Sequence, residues 1–239
     1  SLRLAVTGAA AIPVEMIIQM REHLGFEKVV TGYGLTEGSG LATMCRHDDD
    51  PETIANTSGR AMPGMTVKIV NDDGKEVERG NPGEIVVKGY NVMIGYLNDP
   101  EQTAETIDEN GWLHTGDIGI MDSEGNIAIT DRKKDMYIHG GFNVYPAEVE
   151  ATMLRHPQIG QVSVVGISDE RMGEIGYAFI VPTVGQTPNA DEIINWCRKE
   201  MANYKTPRVI EFLETLPLNA SGKVLKYELR EQAQVNRKI

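Results

Sequence analysis

Residues 2–37 constrain the fold more than any other stretch of this chain. Leu2-Arg3-Leu4-Ala5-Val6 reads as a short buried strand, and Thr7-Gly8-Ala9-Ala10-Ala11 follows it as a small-residue turn. Pro13 opens a helix, Ile17, Met20, Arg21 and Leu24 recur at helical spacing, and Gly25 closes it. Residues 28–31 form a second strand that runs straight into Gly32-Tyr33-Gly34-Leu35-Thr36-Glu37. Strands joined through a helix lie parallel, so a chain that begins this way builds the edge of a parallel α/β sheet. The Gly-rich string then falls at a strand's carboxyl end, where open α/β sheets bind ligands.

Beyond this unit the pattern changes. Residues 65–70, 84–88, 112–121 and 126–130 read as strands, with turns at 71–74 and 122–125. Asp99-Pro100 starts a short helix, Asp as its N-cap and Pro just inside. This stretch is a small, mostly antiparallel β subdomain. After Asp131 helices (146–156, 189–202, 224–234) are mixed with strands (137–138, 161–166, 177–181, 208–214), an order that suits hairpin strands with helices on one side. The expected fold class is thus α/β and α+β: the edge of a parallel α/β sheet plus a small β subdomain, then a separate compact α+β C-terminal domain. The domain boundaries expected are 1–131, divided into an α/β piece 1–58 and a β subdomain 59–131, and 132–239. At about 100–200 residues per domain, 239 residues accommodate both.

Charge marks the same boundary. Residues 1–130 hold 9 basic and 21 acidic side chains, whereas residues 131–239 hold 14 of each, so the whole net charge of -12 sits in the first part. An acidic surface argues against nucleic acid as a partner. No apolar run approaches the ~18 residues of a membrane span, and no signal segment is apparent. The chain begins at Ser1, which suggests an excised start. Cys45 and Cys197 lack metal-ligand spacing and fit a reduced, cytoplasmic setting, with Cys197 a plain core thiol on an amphipathic helix. The five histidines show no metal-ligand pair, and His114 reads as structural.

Four strings carry candidate chemistry. In the first, glycines let backbone approach a ligand closely, Thr36 offers a hydroxyl to phosphate, Glu37 offers a hard oxygen suited to Mg²⁺, and Tyr33 can stack on a purine. A Gly-rich surface turn with a solvated Glu is the alternative. In Thr115-Gly116-Asp117 the carboxylate suits a ribose diol, or is a turn Asp bonding its own backbone. Asp131-Arg132-Lys133-Lys134-Asp135 is either a solvated charge run or a hinge whose Arg132 binds ribose or phosphate. Lys223, in Asn219-Ala220-Ser221-Gly222-Lys223, is either a loop lysine or a mobile ammonium that offsets charge developing on phosphate. Gly140-Gly141 is either a turn or a place where a thiol passes close to backbone.

Together, and in this order, these strings resemble the adenylate-forming acyl-CoA synthetases, a superfamily that also holds firefly luciferase and peptide-synthetase adenylation domains. The resemblance covers essentially the whole chain. It implies an ATP-dependent acid–thiol ligase: a carboxylic acid, here a fatty or related apolar one, attacks ATP to give acyl-AMP, and coenzyme A then displaces AMP. By this resemblance Gly8, Ala9 and Ala10 line the adenine and substrate wall, and Tyr33 with Gly34 contacts adenine. Thr36 binds phosphate, Glu37 holds Mg²⁺, Asp117 takes the ribose hydroxyls and Arg132 assists. Lys134 matches the hinge, Gly141 the loop that enters for thioester formation, and Lys223 the adenylation lysine. The resemblance also implies that the C-terminal domain rotates between half-reactions, presenting Lys223 in one and Gly141 in the other.

One departure stands out. The family's Ser/Thr/Gly-rich phosphate loop ending in Pro-Lys-Gly has no match here. The chain therefore resembles the C-terminal portion of a longer enzyme, whose N-terminal remainder would be its partner, and by itself it is expected not to catalyse adenylation. A fatty-acyl-AMP ligase, a carrier-protein adenylation domain, a luciferase-like oxygenase, and a non-catalytic nucleotide-binding or interaction module stay open as alternatives.

Overall fold

The computed structural model describes residues 2–8, 12–220 and 222–236. The chain divides into two compact units, Ser1–Thr130 and Asp131–Ile239.

In the first unit, β1 (Leu4–Thr7), α1 (Val14–Glu22) and β2 (Lys28–Tyr33) form the strand–helix–strand unit, with β1 and β2 parallel in the register Thr7↔Thr31. Helix α1 ends earlier than its apolar spacing suggests. Gly25 takes φ +71°, Phe26 N bonds back to the Met20 carbonyl, and Leu24 is left exposed. Three elements are missing from the sequence expectations: β3 (Thr43–Met44), α2 (Pro51–Asn56) and β4 (Arg60–Ala61). Two-residue strands leave no period to read. Helix α2 does carry its signal, Asp50 accepting from Thr53 N ahead of Pro51 at the first turn. β3 and β4 pair antiparallel after β2, so the sheet β1-β2-β3-β4 is mixed.

A second sheet, β5-β6-β7-β8, is antiparallel in its registered pairs: β5 (Met65–Val70), β6 (Pro82–Gly89), β7 (Leu113–Met121) and β8 (Ile127–Arg132). α3 (Pro100–Thr106) is capped by Asp99, which accepts from Gln102 N. Tyr33, Ala42, Met65, Val67, Ile69, Ile85, Val87, Met121 and Ile127 share one apolar cluster, which ties the end of β2 to the antiparallel sheet.

The second unit is a five-stranded sheet: β9 (Tyr137–His139), β10 (Phe142–Val144), β11 (Ile159–Asp169), β12 (Gly173–Pro182) and β13 (Val209–Phe212). Its helices are α4 (Pro146–Met153), α5 (Ala190–Glu200) and α6 (Lys226–Asn236). The helices lie on both faces of this sheet rather than on one. Val162, Val164, Ala178 and Ile180 pack with Val149, Met153, Ile193 and Cys197 of α4 and α5. Their alternates Val165, Ile167, Tyr177 and Phe179 pack with Leu229 and Ala233 of α6. β11 and β12 are apolar on both sides of the pleat, so each face needs a cover. Among the described residues no helix is long and apolar enough to cross a membrane.

Candidate functional site

In the first unit the site grows from the carboxyl ends of β1 and β2. Thr7 and Thr31 share a hydroxyl–hydroxyl hydrogen bond of 2.6 Å there. Gly8 follows directly, and a Cβ on it would sit 3.2 Å from the Gly32 carbonyl oxygen. Ala9 and Ala10 lie outside the described residues. After Tyr33 the chain folds into a tight loop. Thr36–Gly38 is one turn of 3₁₀ helix, Gly40 N donates to the Leu35 carbonyl at 2.9 Å, and Ala42 N returns to the Tyr33 carbonyl at 2.8 Å. Gly34 is required by packing: a Cβ there would stand 2.2 Å from the Gly40 oxygen. Thr36 is exposed on this loop and Glu37 half-buried.

Asp117 reaches the same place from the other sheet. The β6–β7 register shifts between Glu84 and Val86, so extra residues of β7 bulge outward. Gly116 takes φ +70° within the bulge, and its N–H donates to Glu84 Oε1 at 3.2 Å. Thr115 Oγ1 donates to the Ile85 carbonyl and accepts from Asp117 N. His114 Nδ1 lies 3.2 Å from the other Glu84 oxygen, a structural contact. The bulge aims Asp117 at Tyr33, whose hydroxyl donates to Asp117 Oδ2 at 2.7 Å across 84 residues of sequence. Both side chains are buried, Tyr33 at 8% exposure and Asp117 at 7%.

Sequence reasoning missed Tyr96. Its hydroxyl donates to Glu37 Oε1 at 2.8 Å, and this bond to a carboxylate holds the phenol above its ordinary pKa. Gly95-Tyr96 just ahead of Asn98-Asp99-Pro100 reads only as a loop before a helix, with nothing to tie it to Glu37.

In the second unit Asp131 is buried. It accepts from Arg132 N at 2.6 Å and from Ala147 N, at the start of α4, at 2.7 Å. Burial raises its pKa despite these donors. Arg132, the last residue of β8, is exposed, as are Lys133 and Lys134 on the turn that follows, and Asp135 pairs with Arg230 of α6 at 2.5 Å. Gly140 and Gly141 form the β9–β10 hairpin turn at φ +59° and +87°. His139 fixes its base: Nδ1–H donates to the Glu174 carbonyl, and Nε2 faces Arg208 Nη2 at 3.4 Å. Lys223 is exposed at the end of a turn in which Asn219 Oδ1 accepts its N–H and Asn219 N donates to its carbonyl, both at 2.9 Å. Ser221 lies outside the described residues. A concavity of about 900 Å³, lined in part by Ser168, Asp169, Arg171, Met172 and Arg208, also belongs to this unit.

The structure thus brings Gly8, Tyr33, Gly34, Thr36, Glu37 and Asp117 together in the first unit, and sets Arg132 at the end of β8 and Lys134, Gly141 and Lys223 on turns of the second. No group of three or more His, Cys, Asp or Glu side chains able to hold a metal occurs among the described residues.

The sequence is 53% identical over 232 residues to a ligase of Rhodococcus jostii strain RHA1 named "3-[(3aS,4S,7aS)-7a-methyl-1,5-dioxo-octahydro-1H-inden-4-yl]propanoyl:CoA ligase", covering 97% of this chain and 43% of that protein. It is 40% identical to a long-chain-fatty-acid–CoA ligase of Escherichia coli O6:H1, covering 98% and 41%. The chain therefore spans less than half the length of the curated relatives it matches. Among solved structures, ATP-bound MatB from Rhodopseudomonas palustris superposes with a TM-score of 0.86 at 33% identity, over 96% of this chain and 45% of that one. The o-succinylbenzoate CoA synthetase of Bacillus subtilis, in complex with its acyl-adenylate, gives 0.80 at 35% identity, over 95% and 46%. The family described as AMP-binding enzyme matches residues 1–97, and the AMP-binding enzyme C-terminal domain matches residues 148–223. With one match in each unit and relatives that agree along the whole sequence, this chain belongs to the AMP-binding enzymes.

Proposed function

We propose that this chain is the part of an AMP-forming acyl-CoA synthetase that holds the nucleotide and drives both half-reactions. The observation that carries the reading is the 2.7 Å bond between Tyr33 and Asp117, beside the Thr36–Glu37 turn. It gathers a phosphate-type loop and a ribose-type carboxylate from two sheets into one place. Relatives named as CoA ligases, and neighbours solved with ATP or an acyl-adenylate, support the same chemistry.

In this reading the acid's carboxylate attacks the α-phosphorus of ATP, pyrophosphate leaves, and acyl-AMP remains. Asp117 accepts hydrogen bonds from the ribose hydroxyls, with Arg132 assisting. Gly8, Ala9 and Ala10 line the adenine and substrate wall, Gly34 lets backbone approach the base, and Tyr33 both contacts adenine and fixes Asp117. Thr36 donates to phosphate. Lys223 offsets the negative charge that develops as the carboxylate attacks. In the second step the thiol of coenzyme A attacks the acyl carbonyl and AMP leaves. The Gly141 turn, which carries no side chain, gives the thiol passage, and Lys134 serves as the hinge between the two steps.

The residues fit Mg²⁺. Its usual protein site is one or two carboxylates plus substrate phosphates and waters, and Glu37 is one half-buried carboxylate with a hydroxyl residue beside it. When bound, the ion neutralises charge on the phosphates. The acid is a fatty or related apolar one, as in the named relatives. Both cysteines are buried free thiols, which fits a reduced compartment such as the cytoplasm.

The test uses the complete polypeptide that carries this chain. Acid-dependent ATP–pyrophosphate exchange is expected, with AMP release that accelerates when coenzyme A is added. Exchange that needs no acid, or AMP release indifferent to coenzyme A, would sink the proposal.

A further inference from the structure

Residues 91–96 brace the whole Thr36–Leu41 loop. Asn91 Nδ2 donates to the Leu41 carbonyl at 2.7 Å, and the Asn91 carbonyl accepts from Ser39 Oγ at 2.8 Å. Met93 N donates to the Glu37 carbonyl at 2.7 Å. Glu37 is therefore held twice, at its backbone by Met93 and at carboxylate Oε1 by the Tyr96 hydroxyl. Tyr96 is itself anchored. Its N–H donates to Thr103 Oγ1 at 2.9 Å, its carbonyl accepts from Asp99 N at 3.3 Å, and a Cβ at Gly95 would press to 2.8 Å from the Thr103 side chain. Glu37 Oε2 takes no hydrogen bond from the described residues.

We infer that Tyr96 is a positioning residue: its hydroxyl fixes one oxygen of Glu37 and leaves the other, Oε2, set for the divalent cation. This rests on the reading of Glu37 as that cation's ligand. The physical reason is geometric. Mg²⁺ demands near-ideal octahedral placement of its oxygens, and a glutamate on a turn would otherwise have to order its side chain on binding. A donor behind the ligand removes that disorder in advance, as outer-shell partners of metal ligands do. Because Tyr96 is locked to the start of α3, the orientation of Glu37 is tied to a helix rather than to its own loop.

The experiment is a binding measurement on the complete polypeptide, with Mn²⁺ as the probe and ATP present, read by the free-Mn²⁺ electron paramagnetic resonance signal. Tyr96→Phe removes one oxygen atom and is expected to raise the Mn²⁺ dissociation constant about tenfold. Glu37→Gln is expected to raise it at least as much, and Tyr96→Phe added to Glu37→Gln to change nothing further. If Glu37→Gln weakens Mn²⁺ and Tyr96→Phe does not, the inference fails while the site reading stands. If Tyr96→Phe weakens binding equally in the Glu37→Gln background, the hydroxyl acts elsewhere and the inference fails. If Glu37→Gln leaves binding unchanged, the reading of Glu37 falls and the inference with it. Should Tyr96→Phe not fold, Thr103→Val, which frees the Tyr96 N–H, is expected to show the same direction of loss, and unchanged Mn²⁺ binding there overturns the idea.

Discussion

A carboxylate recognises a ligand well only when its direction is set beforehand, and Tyr33 sets the direction of Asp117. The bond is buried, so water cannot replace the phenol. Tyr33→Phe leaves Asp117 short of a donor. A loss of about 1–3 kcal/mol in stability by denaturant titration is expected, together with a raised KM for ATP in the complete polypeptide. Gly34 works through space rather than charge. Gly34→Ala forces a methyl against the Gly40 carbonyl, at 2.2 Å unless the loop opens. Overpacking of this kind costs about 1–3 kcal/mol, and thermal unfolding with and without ATP will show both lost stability and lost nucleotide binding. An alanine at 34 that binds ATP normally would contradict the close crossing of that loop.

Helix caps leave local marks, read in the sequence at Asp99-Pro100 and missed at Asp50-Pro51. Asn189 accepts from Asp191 N and Glu192 N ahead of α5, and Asp99 does the same for α3 with Gln102 N. Asn189→Ala is expected to lower stability by about 1 kcal/mol in urea titration. The Gly140-Gly141 hairpin is fixed by its backbone, with Gly141 at φ +87° and open space around its missing Cβ. Gly141→Ala strains that turn by about 1–2 kcal/mol, with nothing within 4 Å of the added Cβ. If the turn serves the thiol, thioester formation slows while acyl-AMP formation from acid and ATP persists. β3 and β4 escaped sequence reading because two-residue strands have no alternation; β3 is tied to β2 where Cys45 N reaches the Thr31 carbonyl. Helices on both faces of the β11–β12 pair also went unread. Alternation there is apolar on apolar, which a strand buried from both sides shares with a short core helix.

At the scale of the molecule, two units of different charge each carry their own core. Alkali acts on groups of both, since Cys45 and Tyr96 of the first are also held above their ordinary values, but the shifts of Cys197 and Tyr177 in the second are larger. Burial raises the Cys197 thiol from 9.0 to about 11, and burial with the Glu211 hydrogen bond raises the Tyr177 phenol from 10.0 to about 12. Below the unfolded values both groups are protonated in either state and favour neither. Above them the unfolded chain releases protons that the folded one retains, so stability falls as pH rises through these windows. Urea titrations on either side of pH 9 should show this decline, and Cys197→Ala should flatten its earlier part. A decline of equal slope in Cys197→Ala would assign the effect to other groups.

The amino-acid order alone determined the strand–helix–strand start, the capped helices, the charge boundary near residue 131 and the identity of the polar strings, because periodicity, caps and turns are local and leave local marks. Only the tertiary structure decided that Tyr33 points its hydroxyl at Asp117 and that Tyr96 stands behind Glu37. Those contacts span 84 and 59 residues and come from a β-bulge and from a loop locked to a helix start. A strand's register and a loop's crossing are set by how sheets pack, and no short window of sequence contains them.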